Sequence, residues 1–217
     1  MEAITDNEGW WLYDKDVIKK HAVEFFTGLF KAEGGDFISY TCSGMFPTID
    51  SSVLCEIDRP VDDGEIRSTV FSMQPLNAPG VDGLHALFYQ SQWQFVGTSV
   101  CKFIKDTFEG QPLPNEINET LIVLIPKTSH PTSMKFFRPI SVCPFIYKTV
   151  TKILANRLKI ILPDNIGPQQ TSFVPGRNIM ENVVLAHEII HSMRRKRGKV
   201  GFMAIKVDLA KAYDLLW

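Results

Sequence analysis

A chain of 217 residues with 45% apolar and 22% charged side chains can build one large domain or two small ones, with the balance of an ordinary globular protein. No apolar run approaches the roughly 20 residues of a membrane-crossing helix, and the opening Met1-Glu-Ala-Ile-Thr-Asp6 is not a secretory signal, so membrane insertion and secretion are not expected and a nuclear or cytoplasmic location is. The net charge of −1 hides a split, with −9 over residues 1–99 (6 Lys and Arg, 15 Asp and Glu) and +8 over residues 100–217 (17 and 9), which points the C-terminal half toward a polyanion.

In chain order, residues 15–31 set Val17, Ile18, Phe25, Phe26, Leu29 and Phe30 at helical spacing until Glu33-Gly-Gly-Asp36 breaks the pattern. Residues 32–60 are turn-rich and carry no clear element. Asp62-Asp63 opens a short helix expected over 62–73, acids being favoured at a helix N-terminus. Asn77 to Gly83 is a turn with two glycines, and Phe88 to Phe108 reads as one amphipathic helix ended by Gly110 and two prolines. Leu121 to Pro126 is an apolar, β-branched strand, and with the segment around Phe136 to Ser141 it predicts a hairpin near 121–140.

Residues 145–162 place Ile146, Val150, Ile153, Leu154, Leu158, Ile161 and Leu162 on one face, with Lys148, Lys152, Arg157 and Lys159 mostly off it. After the turn Phe173-Val-Pro-Gly-Arg177, Asn178 to Met193 is a second amphipathic helix, closing in the basic run Arg194 to Lys199 where the helix dipole favours cations. That run reads equally as a solvated helix end or a nucleic-acid contact. The apolar run from Val200 to Val207 is expected as a buried strand that delivers Asp208 at its end. The pattern as a whole predicts an α+β fold.

Several motifs offer chemistry. A strand-end Asp is most often a turn cap, but a rigid strand carrying a carboxylate is also how two-metal phosphoryl-transfer sites obtain a hard oxygen ligand. Asn77 to Gly83 is a poor phosphate loop, lacking the Gly-x-x-x-x-Gly-Lys-Ser/Thr spacing. His187-Glu-Ile-Ile-His191 matches the zinc-protease pattern on a helix, yet no downstream His supplies a third ligand, so no zinc is expected at His187 and His191. The cysteines 42, 55, 101 and 143 fit neither a zinc set nor a compact disulfide framework and read as free, mostly buried thiols.

Ala78-Pro-Gly-Val-Asp-Gly83, Leu124-Ile-Pro-Lys127, Phe137-Arg-Pro-Ile-Ser141, Ala155-Asn-Arg-Leu158, Phe173-Val-Pro-Gly-Arg177 and Lys206-Val-Asp-Leu-Ala-Lys-Ala-Tyr-Asp214 occur in this order. Together they resemble the reverse transcriptase of non-LTR (long interspersed) retroelements, closest to the plant type. The resemblance covers residues 62–217 as a partial reverse transcriptase domain, and residues 1–61 look like a connector region preceding it. It implies right-hand polymerase fingers, mostly helical with a β-hairpin, then the first palm strand, with an incomplete palm and no thumb. It implies Asp208 as the first of the catalytic carboxylates and a Mg²⁺ ligand, with the Leu209 carbonyl facing metal and triphosphate.

By the same resemblance Lys127 and Arg138 grip the incoming deoxynucleoside triphosphate, Leu209 and Ala210 line its site, and Tyr213 packs under the sugar and excludes a 2′-hydroxyl. Gly80, Gly176 and Arg177 are implied to approach nucleic acid, the partners being an RNA template and a DNA primer. Without the family pattern, Lys127 and Arg138 read as solvated surface and Tyr213 as a core aromatic.

The sequence departs from that pattern at Val81, where a second proline is usual, at Phe136, where an acid is common, and at Pro144, which replaces an asparagine. The family's paired-aspartate hairpin and thumb belong past Trp217. The 217 residues alone are therefore expected to fail at primer extension, and the second reading is a catalytically dead remnant that binds nucleic acid electrostatically at most.

Overall fold

The computed structural model describes residues 3–31, 48–196 and 201–207. Along the chain these form β1 (Ile4–Thr5), β2 (Trp11–Leu12), α1 (Lys15–Phe30), α2 (Ser51–Asp58), α3 (Asp63–Phe71), α4 (Ala86–Ser91), α5 (Trp93–Phe108), α6 (Asn115–Asn118), β3 (Leu121–Pro126), β4 (Phe137–Val142), α7 (Phe145–Leu158), α8 (Leu162–Asn165) and α9 (Ile179–Arg195). The described residues are thus α+β, mainly helical with two small two-stranded sheets. Most of them sort into two compact units, one from residues 3–31 and 121–141, the other from residues 48–120 and 142–196.

In the first unit, β1 and β2 pair antiparallel with Ile4 opposite Leu12 and Thr5 opposite Trp11. The turn between them is held by the Asp6 carboxylate, which accepts from the Glu8 and Trp10 N–H groups at 2.9 and 2.8 Å. Asp14 then caps α1, accepting from the N–H groups of Asp16 and Val17. Helix α1 turns Ile18 and Phe26 onto Ile4, Met134 and Phe137, all buried. The ribbon is tied to the 121–141 segment by the Thr5 N–H and hydroxyl, which both donate to the Thr132 carbonyl. β3 and β4 are hydrogen-bonded neighbours, and the Lys127 N–H donating to the Phe136 carbonyl at 2.8 Å closes the hairpin at its loop end.

In the second unit a single core joins Ile66 and Val70 of α3, Val100 and Ile104 of α5, and Phe145, Val150 and Ile153 of α7. Tyr89 stacks on Phe145 with ring centroids 4.0 Å apart. α3 begins where Asp62 accepts from the Glu65 N–H at 2.8 Å, as the paired acids predict. Cys101 is buried in the same core, and burial pushes its thiol pKa up, leaving it a small protonated apolar group.

Four expectations change. The turn-rich stretch before residue 60 holds a helix, α2, capped by Asp50 and too short to show a periodicity. The single helix expected over 88–108 is two, broken at Gln92, beside a tie in which the Gln90 side-chain amide donates to the Val70 and Met73 carbonyls at the end of α3. Of the described cysteines only Cys101 is buried, Cys55 being exposed and Cys143 intermediate. The buried strand expected at Val200 to Val207 does not form over residues 201–207, where Met203 and Val207 are 81% and 74% exposed. A strand needs a neighbour to satisfy its backbone N–H and C=O groups, and no described segment pairs with this one.

Candidate nucleotide and nucleic-acid interface

Lys127 and Arg138 stand on the two arms of the β3–β4 hairpin. Lys127 follows the last strand residue, Pro126, and its ammonium donates to the Lys135 carbonyl at 3.0 Å, which holds the side chain against the hairpin loop. Arg138 lies in β4 directly after Phe137. Because side chains alternate along a strand, burying Phe137 in the core turns Arg138 to the opposite, exposed face. Neither cation forms an ion pair with a described acid. The hairpin therefore brings two uncompensated positive side chains onto one small element, one as a point charge and one as a fork.

Gly80 sits elsewhere, in the second unit, and it is buried. A Cβ added to Gly80 would meet the Pro144 nitrogen at 2.4 Å and its Cα at 2.5 Å, so the Ala78-Pro-Gly turn lies directly on the backbone that starts α7. The Lys148 ammonium fastens this turn, donating to the Ala78 carbonyl at 2.7 Å. Further along, Gly83 adopts φ +68° and its N–H donates to the Gly80 carbonyl, while the His85 ring nitrogen Nδ1 bonds the Asn77 carbonyl at 2.9 Å. The glycines of this turn are needed for close packing and for a left-handed backbone.

Gly176 also takes a positive φ, +78°, and presents Arg177 to the loop around α8. The guanidinium donates to four backbone carbonyls, those of Gly167 and Gln170 through Nη1 and of Pro163 and Ile166 through Nη2, all at 2.6–2.7 Å. Its fork is spent on the chain's own backbone. Asn182 of α9 adds a bond to the Gln169 carbonyl at 2.7 Å, so the 163–182 segment is cross-tied internally.

Asp208, Leu209, Ala210 and Tyr213 lie outside the described residues. His187 and His191 stand one turn apart on α9, whose described side chains include none that is buried. Among the described residues no group of three or more His, Cys, Asp or Glu side chains is placed to hold a metal ion.

Sequence reasoning placed Arg157 mostly off the apolar face, yet it is 7% exposed. Its Nε and Nη2 donate to the two carboxylate oxygens of Glu65 at 2.9 and 2.7 Å, and Nη1 donates to the carbonyls of Ile57 and Arg59. The Glu65 carboxylate beside it raises the guanidinium pKa further above its ordinary value. The Ala155-Asn-Arg-Leu158 block therefore owes its Arg to a buried tie between α7, α3 and the end of α2. Nothing in local spacing signals this, because the partners lie 92 to 100 residues upstream.

Residues 125–217 match a family model described as reverse transcriptase (RNA-dependent DNA polymerase). The chain is 29% identical over 209 residues to the "Transposon TX1 uncharacterized 149 kDa protein" of Xenopus laevis, an alignment covering 95% of this chain and 16% of that protein. It is 26% identical over 177 residues, 81% of its length, to the "Retrovirus-related Pol polyprotein from type-2 retrotransposable element R2DM" of Drosophila melanogaster, again covering 16% of the relative. The chain thus spans about a sixth of the length of these curated relatives. Over residues 125–217 the chain is thus similar to reverse transcriptases, and over most of its length to proteins of two transposable elements, which supports the reading of a non-LTR retroelement reverse transcriptase.

Proposed function

We propose that this chain supplies the fingers and the start of the palm of an RNA-directed DNA polymerase, in which a primer 3′-hydroxyl attacks an incoming deoxynucleotide on an RNA template. Lys127 and Arg138 are the triphosphate clamp. The observation that carries this is their pairing on one exposed hairpin with no described acid to neutralise either cation. A transferring triphosphate needs charge neutralisation at fixed positions, and a Lys tethered at 3.0 Å to the hairpin backbone supplies one such position.

Asp208 and the Leu209 carbonyl are proposed as ligands of Mg²⁺, which supplies charge neutralisation at the reacting phosphate when bound. Ala210 completes the nucleotide site and Tyr213 is the sugar gate, a rigid ring suited to steric rejection of one hydroxyl. Gly80 and Gly176 act through the backbone turns they permit, and Arg177 by holding the loop beside α9, each bordering the path of the nucleic acid. The domain of the family begins near residue 62, with residues 1–61 leading into it.

Equilibrium binding of a fluorescent deoxynucleoside triphosphate tests the clamp, with the corresponding monophosphate as control. Lys127→Gln with Arg138→Gln is expected to weaken triphosphate binding by at least roughly tenfold, two charge-assisted contacts being removed, and to leave the monophosphate nearly unaffected. Equal loss for both nucleotides, or no loss, overturns the assignment.

A further inference from the structure

The second unit carries a groove edged by two lysines that none of these roles uses. It is about 720 Å³ in volume and runs between the end of α3 with its following turn and the outer face of α7, its polar wall made by Ser72, Gln74, Asn77, Lys148, Thr151 and Lys152 and its apolar part by Met73 and Ala155. No acidic side chain lines it, and neither lysine is ion-paired with a described acid. Lys148 and Lys152 are four residues apart on α7, so their stems leave the helix on the same side.

The polar groups divide into two kinds. The Ser72 and Thr151 hydroxyl hydrogens are already given to backbone carbonyls of their own helices. Lys148 gives one of its three hydrogens to the Ala78 carbonyl at 2.7 Å, which fixes the ammonium at the groove wall and leaves two donors to face outward. Lys152 and the amides of Gln74 and Asn77 add further donors. Two cations and two amide donors with no acid among the lining residues suit an anion. An open groove with charges spaced along a helix suits a chain of anions better than a single compact one.

We infer that this groove binds the phosphodiester backbone of a single nucleic-acid strand, through Lys148 and Lys152, and thereby steadies the strand against α7 and the Asn77–Gly83 turn. No aromatic side chain lines the groove, so it has no ring on which a base can stack. The site positions a strand without reading its sequence. This inference rests on the reverse transcriptase reading, which supplies the class of partner.

The test is binding of labelled single-stranded RNA and single-stranded DNA of matched sequence to the intact chain across a salt series. Lys148→Gln with Lys152→Gln is expected to weaken both strands about equally, by roughly tenfold at low salt. It is also expected to flatten the slope of log K against log salt by roughly 1.4, about 0.7 for each phosphate that is no longer neutralised. Lys152→Gln alone removes a side chain with no structural hydrogen bond and is expected to flatten the slope by about half as much. It tests the site even if loss of the Lys148 tether disturbs the fold.

Unchanged affinity and slope in Lys152→Gln, with wild-type binding intact, overturns the groove but leaves the polymerase reading standing. A loss confined to pyrophosphate or nucleotide binding, with strands bound as before, makes it a small-anion site and also overturns it. A strong dependence of the loss on base sequence counts against it as well. Failure of the intact chain to bind any strand overturns the parent reading and this inference together.

Discussion

Arg157 and Glu65, 92 residues apart in sequence, meet through two parallel hydrogen bonds of 2.9 and 2.7 Å in the interior of the second unit. A fork–fork pair of this kind needs both planes fixed, and α3 and α7 fix them by packing Ile66, Val70, Val150 and Ile153 into one core. Removing one member leaves the other charge without its partner, which costs about 3–5 kcal/mol in buried settings. Arg59 also reaches Glu65, at 3.2 Å, so the carboxylate is not wholly abandoned and the lower end of that range applies. Arg157→Ala is expected to destabilise by about 3 kcal/mol, and Arg157→Lys by about 2 kcal/mol because it restores charge without the fork. Urea unfolding measures both, and an Arg157→Lys variant as stable as wild type would show that geometry is not what the pair contributes.

A second prediction concerns the start of α3. The Asp62 carboxylate pKa is held below its ordinary value of 3.8, first by the Glu65 N–H that donates to it and then by the Arg59 guanidinium. A carboxylate whose pKa is lowered on folding adds stability that is present above pH 3.8 and is lost as the pH falls through the depressed folded value. Asp50, lowered by the Ser52 N–H, and Asp63, lowered by the Lys105 ammonium, act in the same direction. Asp62→Asn keeps a competent helix cap but cannot titrate. Thermal unfolding is therefore expected to show a shallower loss of stability on acidification in Asp62→Asn than in wild type. Parallel curves for the two proteins would contradict this.

The helices with an uninterrupted apolar face were legible in the sequence, because periodicity and capping act over a few residues. Asp14, Asp62 and Asn178 start α1, α3 and α9 by accepting backbone N–H groups within three residues of themselves. The hairpin was legible because the Leu121–Pro126 strand is apolar and β-branched, even though ten residues separate it from β4. What spacing did not reveal depends on distant partners. Arg157 reads as a solvated cation until Glu65 and the Ile57 and Arg59 carbonyls are placed around it. Lys148 reads as surface until the Ala78 carbonyl is found beneath it. The strand expected at Val200 to Val207 is not formed over the described residues 201–207 for a related reason, since apolar composition alone cannot supply a neighbouring strand. Asp208 and Tyr213 lie outside the described residues, so their roles rest on the family pattern.

Two glycines give opposite predictions for the same substitution. Gly80→Ala forces a methyl to within 2.4 Å of the Pro144 nitrogen, which is backbone and cannot swing aside. The turn must leave α7, at a cost of about 2–3 kcal/mol. Gly28 lies inside α1 with nothing within 4 Å of its would-be Cβ, so Gly28→Ala only removes freedom from the unfolded chain. That variant is expected to be more stable by about 0.5–1 kcal/mol. Denaturant midpoints of the two variants against wild type decide the matter, and a tolerated Gly80→Ala would mean the turn is not seated on Pro144.

The fourth prediction separates charge from geometry at Arg177. If this residue served nucleic acid through its charge, Arg177→Lys would preserve strand binding, since Lys is an equally good point charge for phosphate. The guanidinium instead spends Nη1 and Nη2 on four carbonyls between Pro163 and Gln170, each at 2.6–2.7 Å. An ammonium has three donors on one atom and cannot bridge four acceptors spread around a loop. Lys and Ala at this position are therefore expected to behave alike, both raising amide hydrogen exchange across residues 163–176 by an order of magnitude or more, in line with local opening of a segment that has lost its ties. Arg177→Lys that retains wild-type exchange while Arg177→Ala loses it would show that positive charge, and not the four-carbonyl clasp, holds this loop.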